Sequence, residues 1–303
     1  PAKPIGSAVF KDIKELPPAC FMTVSGEKTE IHKYWQITAA KHTESEAETI
    51  EHTHYLVSDA IRRQLVSDVP LCTFLSGGLD SSIISRIASD GAKSHGRRLC
   101  TYSVDYTDND KFFKESLFQP NKDSDYISLI SNYIGSKHKN IVLDNKAVAH
   151  ALEESTEARS LPGFTDVDSS LLLFCREVQR EQTVALSGEC ADEIFGGYPW
   201  YHNKDILFEE TFPWSRSIDV RQSILKPGLL KNGGEFVHEK YLETVKSASY
   251  LESDSKTERR MREMFMLNMD WFMQTLLMRK DMMSMHCSLE VGVPFCDYRI
   301  VEY

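Results

Sequence analysis

The strongest constraint on the fold is a strand–turn–helix pattern in residues 69–82, VPLCTFLSGGLDSS. The apolar run that ends at Leu75 is typical of a buried strand, Gly77 and Gly78 interrupt it, and the isoleucines that follow begin a run suited to a helix. Because this order leaves backbone N–H groups unpaired at the positive end of a helix, it favours an anion such as phosphate. The glycines let the backbone approach that anion closely. Residues 76–82, here called the phosphate loop, therefore predict a phosphate site.

Asp80 restricts which kind of phosphate site this loop can be. A carboxylate repels a phosphate unless Mg²⁺ lies between the two, so Asp80 predicts either a magnesium ligand or a group directed at another part of the substrate. No lysine ends the loop, which therefore does not match the GxxxxGK(S/T) pattern. Ser76, Ser81 and Ser82 add hydroxyl donors. The competing interpretation is an ordinary Ser/Gly turn between a strand and a helix.

The rest of the chain predicts an α/β fold. Four short apolar segments predict strands, at 69–75, 99–104, 140–143 and 183–186, and helix-like segments separate them. This alternation predicts a parallel sheet sandwiched by helices, with an all-helical C-terminal third that includes a long helix over 257–278. Ligands of such sheets lie beyond the carboxyl ends of the strands. Residues 105–123 have no clear period and predict a long loop near that edge.

The segment before the sheet predicts a hairpin and then a helix. Residues 21–24 and 31–35 are separated by a polar turn, which favours a β-hairpin. Residues 44–66 predict an amphipathic helix, because their apolar residues recur at helical spacing. Its buried stripe is predicted to consist of Ile50, Val57, Ile61 and Leu65.

A second motif follows the last predicted strand, in residues 187–198, SGECADEIFGGY, here called the acidic segment. It places Glu189, Asp192 and Glu193 within five residues. A single acidic residue at this point would be an ordinary helix N-cap, which is the simpler interpretation of Asp192. Three carboxylates near a phosphate loop instead favour Mg²⁺ binding and steering of reacting groups. Gly188 leaves room for a nucleotide.

Charge and composition exclude several classes of protein. The net charge of −10 argues against a nucleic-acid partner, which requires a basic face. No apolar run approaches the ~20 residues that cross a membrane, and the first residues do not form a signal peptide. The seven cysteines include no CxxC pair. They predict a cytoplasmic protein with reduced, mostly buried thiols, and not a disulfide framework or a zinc site.

Three motifs occur in the order found in one enzyme family. SGGLDSS resembles the PP-loop of the ATP-pyrophosphatase superfamily, which binds the β,γ-pyrophosphate of ATP and cleaves at the α-phosphate. The acidic segment resembles the asparagine-synthetase signature SGEGADE(L/I)FGGY, with Cys190 in place of glycine. Residues 279–297 resemble a third signature of that family, RKDRMSMA-x-x-LE-x-RVPFLD, with Met282 and Gly292 in place of arginines. Residues 11–35 resemble the connector that leads into the synthetase half of these enzymes.

The resemblance implies a division of the chain into two parts. Residues 1–43 would be a connector hairpin at the boundary with an N-terminal glutaminase domain, which we expect to be absent from this chain. Residues 44–303 would be the ATP-binding synthetase domain. In the family a lysine beyond the position of Tyr303 stabilises charge at the α-phosphate, and we expect that C-terminal tail to be missing here.

The implied enzyme is an AMP-forming carbon–nitrogen ligase. Aspartate and ATP would give β-aspartyl-AMP and pyrophosphate, and ammonia from glutamine would then give asparagine and AMP. ATP and Mg²⁺ are the implied cofactors. The sequence leaves the oligomeric state open, with a homodimer as one candidate.

The resemblance also implies a role for each site residue. The pyrophosphate and its Mg²⁺ would be held by Ser76, Gly77, Gly78, Asp80, Ser81 and Ser82. Adenosine would pack on Leu75 and Val104, and the nucleotide would contact Ser187 and Gly188. The expected catalytic residues are Glu189, which would support formation of the acyl-adenylate, and the two metal carboxylates Asp80 and Asp192.

Two alternatives remain open at this point. Met282 and Gly292 stand where the family has arginines, and the loss of two arginines would reshape the acid pocket. The chain would then be a related adenylating enzyme, of the β-lactam synthetase or peptide-cyclising type. The same departures are compatible with a catalytically degenerate relative that binds nucleotide without turnover.

Overall fold

The computed structural model describes residues 3–114 and 123–303. Its strands are β1 (Cys20–Ser25), β2 (Lys28–Lys33), β3 (Leu71–Phe74), β4 (Cys100–Tyr106), β5 (Lys137–Leu143), β6 (Val184–Leu186) and β7 (Glu290–Gly292). Strands β1 and β2 form an antiparallel hairpin, as predicted. The other five strands form one sheet in the order β5-β4-β3-β6-β7, and every neighbouring pair is parallel. The predicted α/β fold is confirmed.

Helices cover the sheet and form most of the last third of the chain. The helices before β6 are α1 (Glu46–Gln64), α2 (Leu79–Ser94), α3 (Asn109–Phe112), α4 (Asp123–Ile134), α5 (Asn145–His150), α6 (Leu152–Arg159) and α7 (Asp166–Gln179). Those after β6 are α8 (Ala191–Phe195), α9 (Pro199–His202), α10 (Lys204–Leu207), α11 (Asp219–Ile224), α12 (Gly233–Lys246), α13 (Lys256–Leu267), α14 (Gln274–His286) and α15 (Tyr298–Glu302). A π-helical segment, Asn268–Met273, joins α13 to α14, and a 3₁₀ turn, Pro294–Cys296, precedes α15.

The sheet separates two hydrophobic clusters because successive strand residues point to opposite faces. On β6, Ala185 packs into the cluster that contains Phe74 and Phe174, whereas Leu186 packs into the cluster that contains Ile61. A third cluster is aromatic, lies in the helical last third, and includes Trp200, Phe212, Tyr241 and Leu267. The predicted helix α1 has a capping box between Ser45 and Glu48.

Several local predictions differ from the structure. Ile50, predicted to be buried, is 63% exposed, and the buried face of α1 instead includes Leu56 and Ala60. Helix α2 extends through the start of the loop predicted at 91–97. Within the predicted loop 105–123, the described residues include α3, and residues 115–122 lie outside the described part of the chain.

Strand β7 was not predicted, because its segment belongs to a region that was predicted to be helical. It has three residues and pairs with β6, whose sequence lies far away. Strands β4 and β5 follow β3 along the chain and lie on one side of it, whereas β6 and β7 come from the second half and lie on its other side. This reversal makes the carboxyl tips of β3 and β6 the topological switch point of the sheet, where open α/β sheets bind ligands. Among the described residues, no helix combines the length and apolar character needed to cross a membrane.

Candidate active site

A cavity of about 360 Å³ lies at the tips of β3 and β6. Most of the predicted site residues line it: Leu75, Ser76, Asp80, Ser81, Val104, Ser187, Gly188, Glu189 and Asp192. The structure therefore brings the phosphate loop and the acidic segment to one cleft. The predicted site residues Gly77, Gly78 and Ser82 are not among those that line it.

The phosphate loop is held by hydrogen bonds within itself. The backbone N–H of Ser76 donates to Ser81 Oγ at 3.2 Å, and the two serine hydroxyls lie 3.0 Å apart. The Ser82 hydroxyl donates to the carbonyl of Gly78 at 2.6 Å. Gly78 is the N-cap of α2, and no side chain caps this helix. A helix start without such a cap suits an anion, as the sequence predicted for this loop.

Glycine at 77 is required by the backbone and by its neighbours. Its φ is +85°, in the left-handed region. A Cβ atom at Gly77 would lie 2.8 Å from Tyr126 Cβ and 3.1 Å from the carbonyl oxygen of Asp123. The turn of the phosphate loop thus packs directly against the start of α4. Gly77 shapes the loop and does not contribute a surface to the cavity.

Gly188 brings the acidic segment into contact with the phosphate loop. A Cβ atom there would lie 3.0 Å from Asp80 Cβ and 3.1 Å from the backbone nitrogen of Ser81. Only a residue without a side chain permits this approach without displacing one loop. The contact explains why Asp80 and Asp192, which are far apart in the sequence, share a cleft.

Burial raises the pKa values of three carboxylates at this cleft, those of Asp80, Asp192 and Glu193. Burial, together with the nearby charge of Asp192, raises the pKa of Asp80 to about 6. Burial also raises the pKa of Asp192 and that of Glu193. Glu193 is almost fully buried and accepts a hydrogen bond from Tyr198 Oη at 2.6 Å. A cation bound between Asp80 and Asp192 would relieve the repulsion between them.

The donor set fits Mg²⁺ that arrives with a polyphosphate. Mg²⁺ is commonly held by one or two carboxylates together with phosphate oxygens and waters. Asp80 and Asp192 supply such a pair. No group of three or more acidic, histidine or cysteine side chains in the described residues forms a closed metal site. The two carboxylates therefore fit a metal ion that phosphate oxygens and waters would also coordinate.

Glu189 has a different environment from the other carboxylates, since cations already surround it. Its Oε1 lies 3.0 Å from Lys280 Nζ and 3.7 Å from Arg279 Nη2, both on α14. Its Oε2 is buried and has no hydrogen-bond partner among the described residues. Lys280 lies in the third signature, at 279–297, but it was not among the predicted site residues. A charged residue in a methionine-rich helix was the signal that could have drawn attention to it.

The remaining wall of the cavity is apolar and suits a nucleoside. Leu75 is buried and directly follows β3, as predicted, whereas Val104 is exposed and lies inside β4, which continues to Tyr106. The site prediction missed further apolar and aromatic residues of the wall: Phe74, Tyr102, Ile127, Leu171, Phe174 and Leu276. Most of these belong to helices that fold over the sheet, so no local motif marked them.

The prediction of seven reduced cysteines is wrong for one pair. Cys190 of the acidic segment and Cys296 form a disulfide, with their Cα atoms 5.8 Å apart. The other five cysteines are unpaired. The two partners are separated by 106 residues, and they meet because β7 pairs with β6. Both stand where the resembled signatures have other residues, glycine at 190 and leucine at 296.

The two arginine departures lie outside the cavity wall. Neither Met282 nor Gly292 is among the residues that line it. A Cβ atom at Gly292 would lie 2.6 Å from Gln64 Oε1 and 2.8 Å from Leu186 Cδ2, so α1 and β6 fill the space of a side chain. The carbonyl of Gly292 accepts a hydrogen bond from the Ser187 N–H at 2.9 Å. Gly292 thus holds the first residue of the acidic segment through a backbone hydrogen bond and does not line the cavity.

Comparisons with known proteins agree with these motifs. The family model described as asparagine synthase matches residues 52–303. The chain is 48% identical over 306 aligned positions to asparagine synthetase [glutamine-hydrolyzing] 3 of Bacillus subtilis strain 168, covering 100% of this chain and 50% of that protein. It is 27% identical over 202 positions to putative asparagine synthetase [glutamine-hydrolyzing] 2 of Methanocaldococcus jannaschii, covering 65% of this chain and 36% of that protein.

A more distant relative carries a different name. The chain is 25% identical over 215 positions to amidase chyE of Penicillium rubens, covering 68% of this chain and 31% of that protein. The chain therefore spans half the length, or less, of each of these three curated relatives.

Proposed function

Because the chain belongs to the asparagine synthase family, we propose that it carries out the ATP-dependent part of asparagine synthesis. Aspartate and ATP give β-aspartyl-AMP and pyrophosphate, and ammonia then gives asparagine and AMP. The observation that carries this proposal is the single cleft formed by the phosphate loop and the acidic segment at the switch point of the sheet. Formation of the acyl-adenylate needs one place where the α-phosphate of ATP meets the carboxylate of the acid. Ammonia must then reach the acyl carbon at the same place.

The cavity walls orient ATP in one direction. The open N–H groups at the start of α2 and the hydroxyls of Ser76 and Ser81 suit the β,γ-pyrophosphate. The apolar wall around Leu75 and Val104 suits the adenosine, next to Ser187 and Gly188. The α-phosphate then lies between the two motifs, with the acid substrate on the side of Glu189.

The chemistry requires an activated carboxylate. A side-chain carboxylate oxygen of aspartate attacks the α-phosphorus, the bond to the bridging oxygen breaks, and pyrophosphate leaves. Ammonia then attacks the acyl carbon, the bond to the AMP oxygen breaks, and the nitrogen loses a proton. The protein contributes mainly by aligning the reactants and neutralising charge.

Each residue has a role in this proposal. Asp80 and Asp192 hold Mg²⁺, which neutralises the pyrophosphate when bound. Glu189 supports formation of the acyl-adenylate beside the acid substrate. Gly77, Gly78 and Ser82 act indirectly, by shaping the phosphate loop against α4 and α2.

The proposal also covers the source of the ammonia, the compartment and the assembly. Residues 1–43, which contain the β1–β2 hairpin, would connect a glutaminase domain to the synthetase domain at 44–303, so that glutamine supplies the ammonia. The five unpaired cysteines favour a reducing compartment such as the cytoplasm, and the Cys190–Cys296 disulfide is the one observation against it. A homodimer stays one candidate assembly.

The experiment is aspartate-dependent exchange of labelled pyrophosphate into ATP, followed by product analysis with an ammonium salt. We expect exchange with aspartate, and asparagine and AMP in equal amounts by mass spectrometry. Exchange with a different acid would move the substrate assignment. ATP binding by calorimetry without AMP from any acid would favour the degenerate relative.

The β-lactam synthetase-like alternative loses its main support. It depended on a pocket reshaped at Met282 and Gly292, and neither residue lines the cavity. The retained carboxylates also argue against a degenerate site.

A further inference from the structure

Lys280 and Glu189 form an ion pair inside the cavity, away from solvent. Their side chains are only 10% and 18% exposed, and Nζ lies 3.0 Å from Oε1. A comparable pair at the surface, Lys139 on β5 with Glu181 in the turn before β6, is 45% and 43% exposed. Removing two charges from water is costly, so a buried pair is weak support for stability and calls for another explanation.

The Lys280 ammonium is held from two directions. It lies over the ring of Phe74, 5.1 Å from the ring centre, where a cation is attracted to the aromatic face. Phe74 is the last residue of β3, directly before Leu75 and the phosphate loop. Lys280 therefore joins three elements that meet at the site: the tip of β3, helix α14 and the acidic segment.

This arrangement uses only one oxygen of the Glu189 carboxylate. Both cations, Lys280 and Arg279, approach Oε1. The other oxygen, Oε2, is buried without a hydrogen-bond partner among the described residues. A buried, unpaired carboxylate oxygen is costly unless a substrate donor engages it.

We infer that Lys280 is a positioning residue, which fixes Glu189 through Oε1 so that Oε2 receives an N–H or O–H donor of the reactants. The inference rests on the proposed function and adds to it a residue outside the acidic segment. Lys280 acts through Glu189 and need not touch the nucleotide. Its effect should therefore fall on the chemical step and not on ATP binding.

A double-mutant cycle tests this dependence. The variants are Lys280→Met, Lys280→Arg, Glu189→Gln and the Lys280→Met/Glu189→Gln double variant, with Lys139→Met as the control on an exposed lysine–glutamate pair. Each is measured for kcat and for the KM of ATP and aspartate in pyrophosphate exchange. We expect Lys280→Met to lower kcat about 100-fold, because small displacements of a reacting group cost about that much. The KM for ATP should change less than about threefold.

The cycle separates positioning from direct action. If Lys280 acts through Glu189, the double variant is no slower than Glu189→Gln alone, because coupled residues are non-additive. Lys280→Arg should recover activity to within about tenfold of the parent, since a cation is restored at the same place. Multiplying effects in the double variant, or unchanged kcat in Lys280→Met, would overturn the inference.

The test also allows for a variant that does not fold and for a different acid substrate. If Lys280→Met does not fold, as shown by its melting curve, Lys280→Gln replaces it in the same cycle. Pyrophosphate exchange by the parent protein tests the proposed function separately. If the parent exchanges with an acid other than aspartate, the substrate assignment changes, and the double-mutant cycle is measured with that acid. Absence of exchange with every acid overturns both proposals.

Discussion

The phosphate loop and the acidic segment form two walls of one cleft, but they are stabilised in different ways. The hydrogen bonds of the phosphate loop join residues at most five positions apart. The acidic segment depends on distant parts of the chain: Glu189 pairs with α14, Cys190 is bonded to Cys296, and Ser187 donates to Gly292. One wall is encoded locally, and the other exists only after the last third of the chain has packed.

The two walls also differ in charge. At the phosphate side, burial raises the pKa of both Asp80 and Asp192, and the charge of Asp192 adds to the rise at Asp80. At the acid side, Lys280 and Arg279 already accompany Glu189. In the proposed function the phosphate side would take its cation with the substrate, whereas the fold itself supplies two cations at the acid side.

The largest effect should come from removing the carboxylate of the phosphate wall. We expect Asp80→Ala to lower pyrophosphate exchange about 1,000-fold, because a group that stabilises charge in the transition state is lost. Asp90→Asn is the matched control, since Asp90 lies on the same helix, is exposed and pairs with the exposed Arg86. Undiminished exchange in Asp80→Ala would remove the metal role from this residue.

The next largest effect concerns the long-range anchor of the acidic wall. Replacing Cys190 and Cys296 with serine should lower stability by about 2–4 kcal/mol, because the disulfide closes a long loop. The expected readout is a melting temperature lower by roughly 5–10 °C. Cys20→Ser is the control, since Cys20 is unpaired. Seven alkylated thiols in the unreduced parent protein would contradict the disulfide.

A smaller effect should follow from separating the two walls. Gly188→Ala places a methyl group 3.1 Å from the Ser81 backbone nitrogen, which cannot move without the loop. Overpacking of this kind costs about 1–3 kcal/mol, so ATP affinity by calorimetry should fall about 10- to 100-fold. Gly234→Ala is the control, because its Cβ would meet only Ile218 at 4.0 Å. Unchanged ATP affinity in Gly188→Ala would show that the walls are not closely coupled.

The smallest effect concerns pH and the charge of Asp80. Its pKa is about 6 in the folded chain against an ordinary value of 3.8, so the folded state binds the proton more tightly. Stability without metal should therefore fall as pH rises from about 4 to about 6. Above that range, Asp80→Asn should melt about 1–3 °C higher than the parent. The difference should shrink as the pH falls below 6, and a lower melting temperature at pH 8 would contradict it.

How far the sequence predicted the structure depends on the range of the contacts. Strand β3, the turn at Gly77 and helix α2 were predicted well, because neighbouring residues determine them. The buried stripe of α1 was predicted less well, since Ile50 is exposed. Periodicity shows that a helix has an apolar face but not which turns of it are covered.

The unpredicted features all depend on pairing across the fold. Strand β7 has three residues and exists through its hydrogen bonds with β6. Its pairing brings Cys296 to Cys190, and the packing of α14 brings Lys280 to Glu189. None of these contacts leaves a spacing pattern that a single sequence reveals.

Short-range sterics and hydrogen bonding specify the phosphate loop and the alternation of strands and helices, so the local sequence encodes them, and the acidic segment is recognisable there as a motif. Only the tertiary structure decided that the two motifs share one cleft and that a lysine accompanies Glu189 there. The physical reason is that the order of strands in a sheet is set by the burial of both its faces, which is a property of the whole chain.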